Sequence, residues 1–225
     1  MTKTMDTDTS TATDWHEAAF DVMRGVGAYT SSPLIRGLSE VIAHHPQADV
    51  AVAFNHKQVA CKMWARQALF DTVGGKFKRI VILGGWYGVL AAMFFDDTRF
   101  EIGSIDSFDI DPDVGNVAET LNQAWKDRFR ALTGDMYSLA YDELDAGLLI
   151  NTSCEHIADL PGWLRLLPRG TRVLLQSNDY FSEPTHVNCV PSLEAFVAQA
   201  ALRQIDFAGS LPMKKYTRFM LIGTV

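Results

Sequence analysis

The chain's strongest pattern reads Arg79-Ile-Val-Ile-Leu-Gly-Gly-Trp-Tyr-Gly88, and Ser107-Phe-Asp-Ile-Asp-Pro112 follows about twenty residues later. The apolar run predicts a buried strand, and the glycines after it predict a turn where the backbone can approach a ligand closely. A second strand then ends in carboxylates, at a spacing that lets one of them bind the two hydroxyls of a ribose. The pattern is therefore typical of a βαβ unit that holds a nucleoside.

The composition fits one compact domain that acts on a small molecule. The chain of 225 residues is 48% hydrophobic and 21% charged, so it can bury a core without disulfides. Its net charge of −7 argues against a nucleic-acid partner, because lysine and arginine carry the affinity for phosphates. No apolar run approaches the roughly 20 residues that span a bilayer, and no secretory signal follows Met1. We therefore expect a cytoplasmic protein with a small-molecule partner and no membrane partner, and a homodimer is left open.

The positions of cysteine and histidine argue against a metal site. Cys61, Cys154 and Cys189 are far apart and have no C-x-x-C spacing, so they indicate neither a disulfide framework nor a structural zinc site. His44-His45 marks the end of a helix and lacks a third ligand nearby. We expect no metal.

Three parts follow one another along the chain. Residues 1–13 are rich in Thr, Asp and Ser and predict a mobile tail with almost nothing to bury. Residues 14–75 predict a helical cap, and residues 76–225 predict a Rossmann-like core that forms one compact domain with the cap. The expected cap helices begin at a capping box of Asp14 and Glu17, at Ser32-Pro33 and at Asn55, and they end near Arg24, His44-His45 and Val73.

Short apolar runs alternate with helical ones from Lys78 onward, which predicts an α/β fold with helices on both faces of a parallel sheet. The final two strands differ, because Gly209-Ser-Leu-Pro212 joins them with no helix between, and this requires an antiparallel last strand. We therefore expect a seven-stranded, mostly parallel sheet with an antiparallel last strand. The expected strands cover residues 80–83, 105–108, 129–132, 146–150, 172–175, 205–208 and 216–223.

Four segments of this core resemble those of a class I S-adenosylmethionine (SAM)-dependent methyltransferase, in the order of that family. The resemblance runs from about Phe77 to Val225. It implies a Rossmann-like class I methyltransferase fold, with SAM as substrate or methyl donor. The segments are Leu83-Gly-Gly-Trp-Tyr-Gly88, Phe108-Asp-Ile-Asp-Pro112, Leu132-Thr-Gly-Asp-Met136 and Asn151-Thr-Ser-Cys-Glu-His156.

The resemblance also implies roles for individual residues. Asp109 would take the ribose hydroxyls of SAM, and Asp135 its adenine amino group. Ile110 and Met136 would flank the adenine ring. The amide of Asn151 would lie beside the reacting carbon. The glycine loop would complete the cofactor site with Gly84, Gly85, Trp86, Tyr87 and Gly88, although the same glycines would also suit a tight turn without a ligand.

Two positions depart from the family's pattern. Ile82 stands where members usually carry an acidic residue, and Trp86 stands where they carry a further glycine. The missing acid implies that the methionine portion of SAM is held differently. Trp86 and Tyr87 lie where a sulfonium would pass, and a ring face stabilises a cation by about 0.5 to 2 kcal/mol.

Polar residues after the fourth and fifth strands are the candidates for catalysis. Asn151 is expected to orient an attacking amine at the reacting carbon. Tyr180 is the second orienting group, and Ser153 or His156 could relay the released proton. We expect Glu155-His156 to begin a helix, where a histidine is also common as a packing or hydrogen-bonding element.

Three functions remain open. The first expectation is an intramolecular cyclisation of SAM to azetidine-2-carboxylate with release of methylthioadenosine, because the size and the altered glycine loop are similar to those of azetidine-2-carboxylate synthases. A dry site would favour this by restricting the methionine chain and by disfavouring the ammonium form of its amine. Methyl transfer to a small-molecule acceptor is the alternative, and a non-catalytic nucleoside-binding module is the third function. A nicotinamide dehydrogenase is disfavoured because the first loop has no G-x-G-x-x-G.

Overall fold

The computed structural model describes residues 15–225. The tail expected over residues 1–13 and the Asp14 side of the expected capping box lie outside this range. Within it the helices are α1 (Trp15–Thr30), α2 (Pro33–His44), α3 (Val50–Ala53), α4 (His56–Val73), α5 (Val89–Phe95), α6 (Gly115–Leu121), α7 (Leu160–Leu164) and α8 (Leu193–Ala200). The strands are β1 (Lys76–Leu83), β2 (Glu101–Asp109), β3 (Phe129–Thr133), β4 (Leu148–Asn151), β5 (Arg172–Asn178), β6 (Gln204–Pro212) and β7 (Thr217–Thr224).

One seven-stranded sheet forms the centre of the described chain, in the order β3-β2-β1-β4-β5-β7-β6. Strands β1 to β5 all run parallel to one another, whereas β7 is antiparallel to both of its neighbours, β5 and β6. The predicted α/β sheet with an antiparallel last strand is therefore confirmed. The strand order reverses between β1 and β4, and the carboxyl ends of strands at such a point form a crevice where α/β sheets bind ligands.

The sheet is buried on both faces, as the continuous apolar runs predict. In β1, Ile80 and Ile82 point to one face and pack with Leu69 of α4 and Phe94 of α5. Val81 and Leu83 of β1 point to the opposite face, into the cluster that contains the fully buried Trp163 and Phe196. The two-residue period of a strand produces both layers from one short sequence.

The connection between β6 and β7 differs from the expected one. Residues 209–212 belong to β6, and the chain turns over residues 213–216, where the N–H of Met213 donates to the carbonyl of Tyr216 at 2.8 Å. A side chain at Gly209 would collide with the ring of Phe207 and press on Trp64. The glycine therefore permits close packing on the strand instead of making the turn.

The segment after β4 also differs from the expected one. Glu155 and His156 do not begin an α-helix, because they lie in a single turn of 3-10 helix over Cys154–His156. The α-helix starts only at α7, where the carboxylate of Asp159 accepts the N–H of Gly162 at 2.8 Å and caps the helix. An aspartate cap followed by Pro161 at the second helical position is the stronger start signal.

The N-terminal helices confirm the expected helix starts at Ser32-Pro33 and Asn55, while α1 continues to Thr30 beyond the expected end. Asn55 caps α4, since its Oδ1 accepts the N–H groups of Lys57 and Gln58 at 3.0 Å each. Gly74 ends α4 with a φ of 93°, in the left-handed region that favours glycine. In the described part of the chain, no helix has the length and apolar character needed to cross a membrane.

Candidate active site

A cavity of about 660 Å³ lies at the carboxyl ends of the parallel strands, with α4 along one side. The cavity is lined chiefly by the turn after β1, the end of β2, the first half of α4, the loops after β4 and β5, and the start of β7. Its volume falls in the range of small-molecule sites, roughly 300 to 1,000 Å³. The cavity is therefore the candidate active site.

The turn after β1, residues 84–88, is the first wall, and we call it the glycine turn. Gly85 sits so close to β2 that a side chain there would collide with the hydroxyl of Ser107. Trp86 has a φ of 47°, which is a strained value for a residue with a side chain. A strained residue that lines a cavity is a feature of functional sites.

Asp109 ends β2 and connects to the glycine turn. Its Oδ2 accepts the backbone N–H of Trp86 at 2.8 Å, and its Oδ1 accepts the N–H of Asp111 at 3.1 Å. An ionised carboxylate has about four acceptor positions, so two remain for a ligand. Asp109 lines the cavity and could bind a pair of hydroxyls there.

The two aromatic residues of the glycine turn form one surface. The rings of Trp86 and Tyr87 stack with centroids 4.6 Å apart and an interplanar angle of 24°. The hydroxyl of Tyr87 accepts the N–H of Asp49, which caps α3, at 3.2 Å. Both rings line the cavity, so a cation in this part of it would contact an aromatic wall.

The residues expected around an adenine follow β2 and β3 and do not line the cavity. Asp135 is exposed, and its Oδ1 accepts the N–H of Tyr137 at 2.9 Å. Ile110 is 72% exposed, whereas Met136 is half-buried against the core layer that contains Trp163. These residues follow the carboxyl ends of β2 and β3.

Asn151, which the sequence places beside the reacting carbon, makes a local hydrogen bond in the structure. It ends β4 opposite Leu83 and is buried, and its Oδ1 accepts the N–H of Ser153 at 2.8 Å. The side chain therefore shapes the loop after β4 and is not part of the cavity lining. Ser153, His156 and Tyr180, the other expected catalytic residues, do line the cavity.

Beyond the glycine turn the cavity continues into a part rich in charge, which we call the polar chamber. Arg218 of β7 is buried there and donates to Oε1 of the buried Glu155 at 2.6 Å and to the carbonyl of Thr152. Lys62 of α4 donates to Oε1 of Gln58 at 2.7 Å, and no carboxylate of residues 15–225 forms an ion pair with it. The chamber is lined by Lys62, Glu155, His156, Tyr180, Glu183, His186 and Arg218.

The pKa of Lys62 is lowered to about 8, first by burial and then by the positive charge of Arg218. A cation whose charge is disfavoured by its surroundings attracts an anionic ligand, because the ligand restores the missing countercharge. The chamber holds the cationic side chains of Lys62 and Arg218 and the carboxylates of Glu155 and Glu183. Arg218 is paired with Glu155, whereas Lys62 has no carboxylate partner among residues 15–225.

Cys154 and Cys189 are unsuited to act as nucleophiles. Cys154 is fully buried, and burial raises the pKa of its thiol. Burial also raises the pKa of Cys189, whose Sγ lies 3.4 Å from Oδ1 of Asn178. A thiol with a raised pKa is a poor nucleophile at neutral pH.

Sequence reasoning missed several residues of the chamber. Lys62 and Arg218 gave no signal, because a lysine in a helix and an arginine in a strand usually face solvent. The run His186-Val-Asn-Cys189, which follows the fifth strand, was a usable signal for His186, since loops after parallel strands meet at one sheet edge.

Solved structures similar to this chain are methyltransferases, while no protein-family model and no curated protein sequence matches it. The N-methyltransferase NodS from Bradyrhizobium japonicum WM9 has a TM-score of 0.59 and 10% identity over 76% of this chain and 98% of its own. A geranyl diphosphate methyltransferase in complex with SAM has a TM-score of 0.54 and 13% identity, over 80% and 92%. An O-methyltransferase family protein from Burkholderia thailandensis has a TM-score of 0.55 and 15% identity, over 95% and 74%. The chain therefore has the Rossmann-like fold of the class I SAM-dependent methyltransferases.

Proposed function

We propose that the protein is a SAM-dependent methyltransferase that acts on a small acceptor. One observation carries the proposal: a single cavity runs from the glycine turn and Asp109 to the polar chamber. A methyltransferase needs such an arrangement, because the acceptor must attack the methyl carbon from the side opposite the sulfur, at about 3 to 3.5 Å. The methyltransferases of the same fold support the proposal that SAM binds at the glycine turn and Asp109.

The cofactor would lie across the glycine turn. Asp109 would bind the ribose hydroxyls with its two free acceptor positions, and Asp135 would bind the adenine amino group beyond the sheet edge. Ile110 and Met136 would flank the ring. The stacked rings of Trp86 and Tyr87 would face the sulfonium.

The polar chamber favours methyl transfer over ring closure. Cyclisation of SAM uses the cofactor's own amine and needs no second substrate, so the chamber would have no occupant. An acceptor with a carboxylate suits the chamber, since Lys62 lines it and has no carboxylate partner among residues 15–225. Cyclisation to azetidine-2-carboxylate stays a hypothesis, with no support from the similar structures.

Product analysis tests the function. The protein is incubated with SAM alone and with SAM plus pools of small carboxylic acids that carry a hydroxyl or an amine. We expect S-adenosylhomocysteine to form only when an acceptor is present. Methylthioadenosine and azetidine-2-carboxylate from SAM alone would replace the proposal with cyclisation, and binding of SAM without either product would indicate a nucleoside-binding module. Asp109→Ala serves as the control with weakened cofactor binding.

A further inference from the structure

Three side chains of metal-ligating type meet in the polar chamber. One ligand atom from each of Glu155, His156 and His186 lies within 4.8 Å of the other two. Glu155 and His156 lie in the loop after β4, and His186 lies in the loop after β5. Two histidines and one carboxylate form a set that binds catalytic zinc and other first-row divalent metals while leaving positions open for a substrate.

In both histidines the Nδ1 atom faces a backbone carbonyl oxygen. Nδ1 of His156 lies 3.0 Å from the carbonyl oxygen of Thr185, and Nδ1 of His186 lies 3.2 Å from that of Tyr180. A carbonyl oxygen only accepts, so each Nδ1 carries a hydrogen, and in the neutral ring Nε2 is then the nitrogen with a lone pair for a metal. Metal-binding histidines typically donate their second N–H to a carbonyl in this way.

Glu155 supplies an independent observation. Its side chain is buried, and while Oε1 is paired with Arg218 at 2.6 Å, Oε2 has no hydrogen-bond partner in the described structure. A buried carboxylate oxygen without a partner is costly. A cation bound to Oε2 would satisfy it, and Arg218 would hold the carboxylate in the orientation required.

We propose that Glu155, His156 and His186 bind a divalent first-row metal ion such as Zn²⁺, through Oε2 of the glutamate and Nε2 of each histidine. A tetrahedral ion with bonds of about 2.0 to 2.1 Å holds its ligand atoms roughly 3.4 Å apart. One ligand-type atom of each side chain already lies within 4.8 Å of the other two, so modest side-chain movements are enough to form the site. His156 is exposed and can make most of this movement.

The fold, and not the local sequence, brings these ligands together. The sequence offered His44-His45 as its only adjacent pair, and in the structure His45 is engaged elsewhere, with Nε2 at 2.8 Å from Oγ1 of Thr120. An ion at the proposed site would also polarise an oxygen or nitrogen of the acceptor. That role rests on the proposed function, whereas the metal site itself does not.

Metal titration tests the site without any assay of activity. The full-length protein is treated with a chelator, dialysed, and titrated with Zn²⁺ by calorimetry and with Co²⁺ by visible absorption. We expect one tightly bound equivalent, with the Co²⁺ bands of a low-coordinate site. His156→Gln and His186→Gln should each weaken Zn²⁺ binding at least about tenfold. His44→Gln is the matched control, because this exposed histidine of α2 pairs with Glu40 and does not line the cavity. The variant's affinity should equal that of the wild type.

The result is decisive in either direction. His156 is exposed, so His156→Gln should fold normally even if His186→Gln does not. A dissociation constant for Zn²⁺ weaker than about 0.1 mM, or an affinity that His156→Gln leaves unchanged, would overturn the site. Either outcome would leave the methyl-transfer test unaffected, since product formation is measured separately.

Discussion

The carboxylate of Asp109 accepts the backbone N–H of Trp86 at 2.8 Å and thereby joins the end of β2 to the glycine turn after β1. Trp86 has a positive φ of 47°, which costs a residue with a side chain about 1 to 2 kcal/mol. The hydrogen bond helps to hold that strained turn in place. The residue proposed to bind the ribose therefore also fixes the wall against which the cofactor would lie.

Asp109→Ala should weaken binding of S-adenosylhomocysteine by about 1.5 to 3 kcal/mol, because it removes charge-assisted hydrogen bonds to the ribose and the anchor of the glycine turn. Calorimetry measures the affinity. Asp111→Asn is the control, since Asp111 is exposed at the start of the next segment and should leave the affinity nearly unchanged. An unchanged affinity in Asp109→Ala would move the ribose elsewhere.

Trp86→Ala and Trp86→Gly should weaken SAM binding more than S-adenosylhomocysteine binding, by about 0.5 to 2 kcal/mol, since only SAM carries the sulfonium charge that a ring face prefers. The glycine variant should be the more stable of the two by about 1 kcal/mol, because glycine adopts the positive φ without strain. Calorimetry and urea unfolding separate the two effects. Equal losses for both ligands would mean that the ring only packs.

Lys62→Met should stabilise the free protein at pH 7 by about 1 to 2 kcal/mol, a value discounted for the partial exposure of the side chain. The pKa of Lys62 is about 8 in the folded protein, whereas the ordinary value of 10.5 applies to the unfolded chain. Between these pH values the unfolded chain binds more protons, so the wild type gains stability as the pH rises and the variant does not. Urea unfolding at pH 7 and pH 10 gives the difference.

A parallel gain in Lys76→Met, whose ammonium is exposed and paired with Glu101, would show that the effect does not depend on the cavity. The same Lys62→Met variant should also lose affinity for a carboxylated acceptor once one is identified, because it removes the chamber's cation that has no carboxylate partner among residues 15–225.

Asn151→Ala should lower turnover at least about tenfold, or 1.4 kcal/mol of barrier, with a smaller effect on cofactor affinity. The structure gives the reason, since the amide oxygen holds the N–H of Ser153 and so the loop that carries Ser153 and His156 along the cavity. Asn116→Ala, on the exposed side of α6, is the control. Turnover equal to that of the wild type would show that the loop does not need this bond.

Local patterns were sufficient for the architecture. The apolar runs around Ile80–Leu83 and their neighbours predicted the parallel strands, because a strand buried on both faces requires such a run. Capping residues such as Ser32 and Asn55 marked helix starts by direct hydrogen bonds to the next turn. The order of glycine turn and carboxylate predicted the nucleoside site, since both belong to one βαβ unit.

Tertiary packing decided which other side chains share the cavity. Four separated segments contribute to the chamber: Lys62 on α4, Glu155 after β4, His186 after β5 and Arg218 on β7. They meet because α4 lies beside the carboxyl ends of the strands. It also placed the amide oxygen of Asn151 against the N–H of Ser153 in the loop after β4. No local pattern encodes these outcomes, because the burial, the charge and the pairing of a side chain depend on neighbours that are distant in the chain.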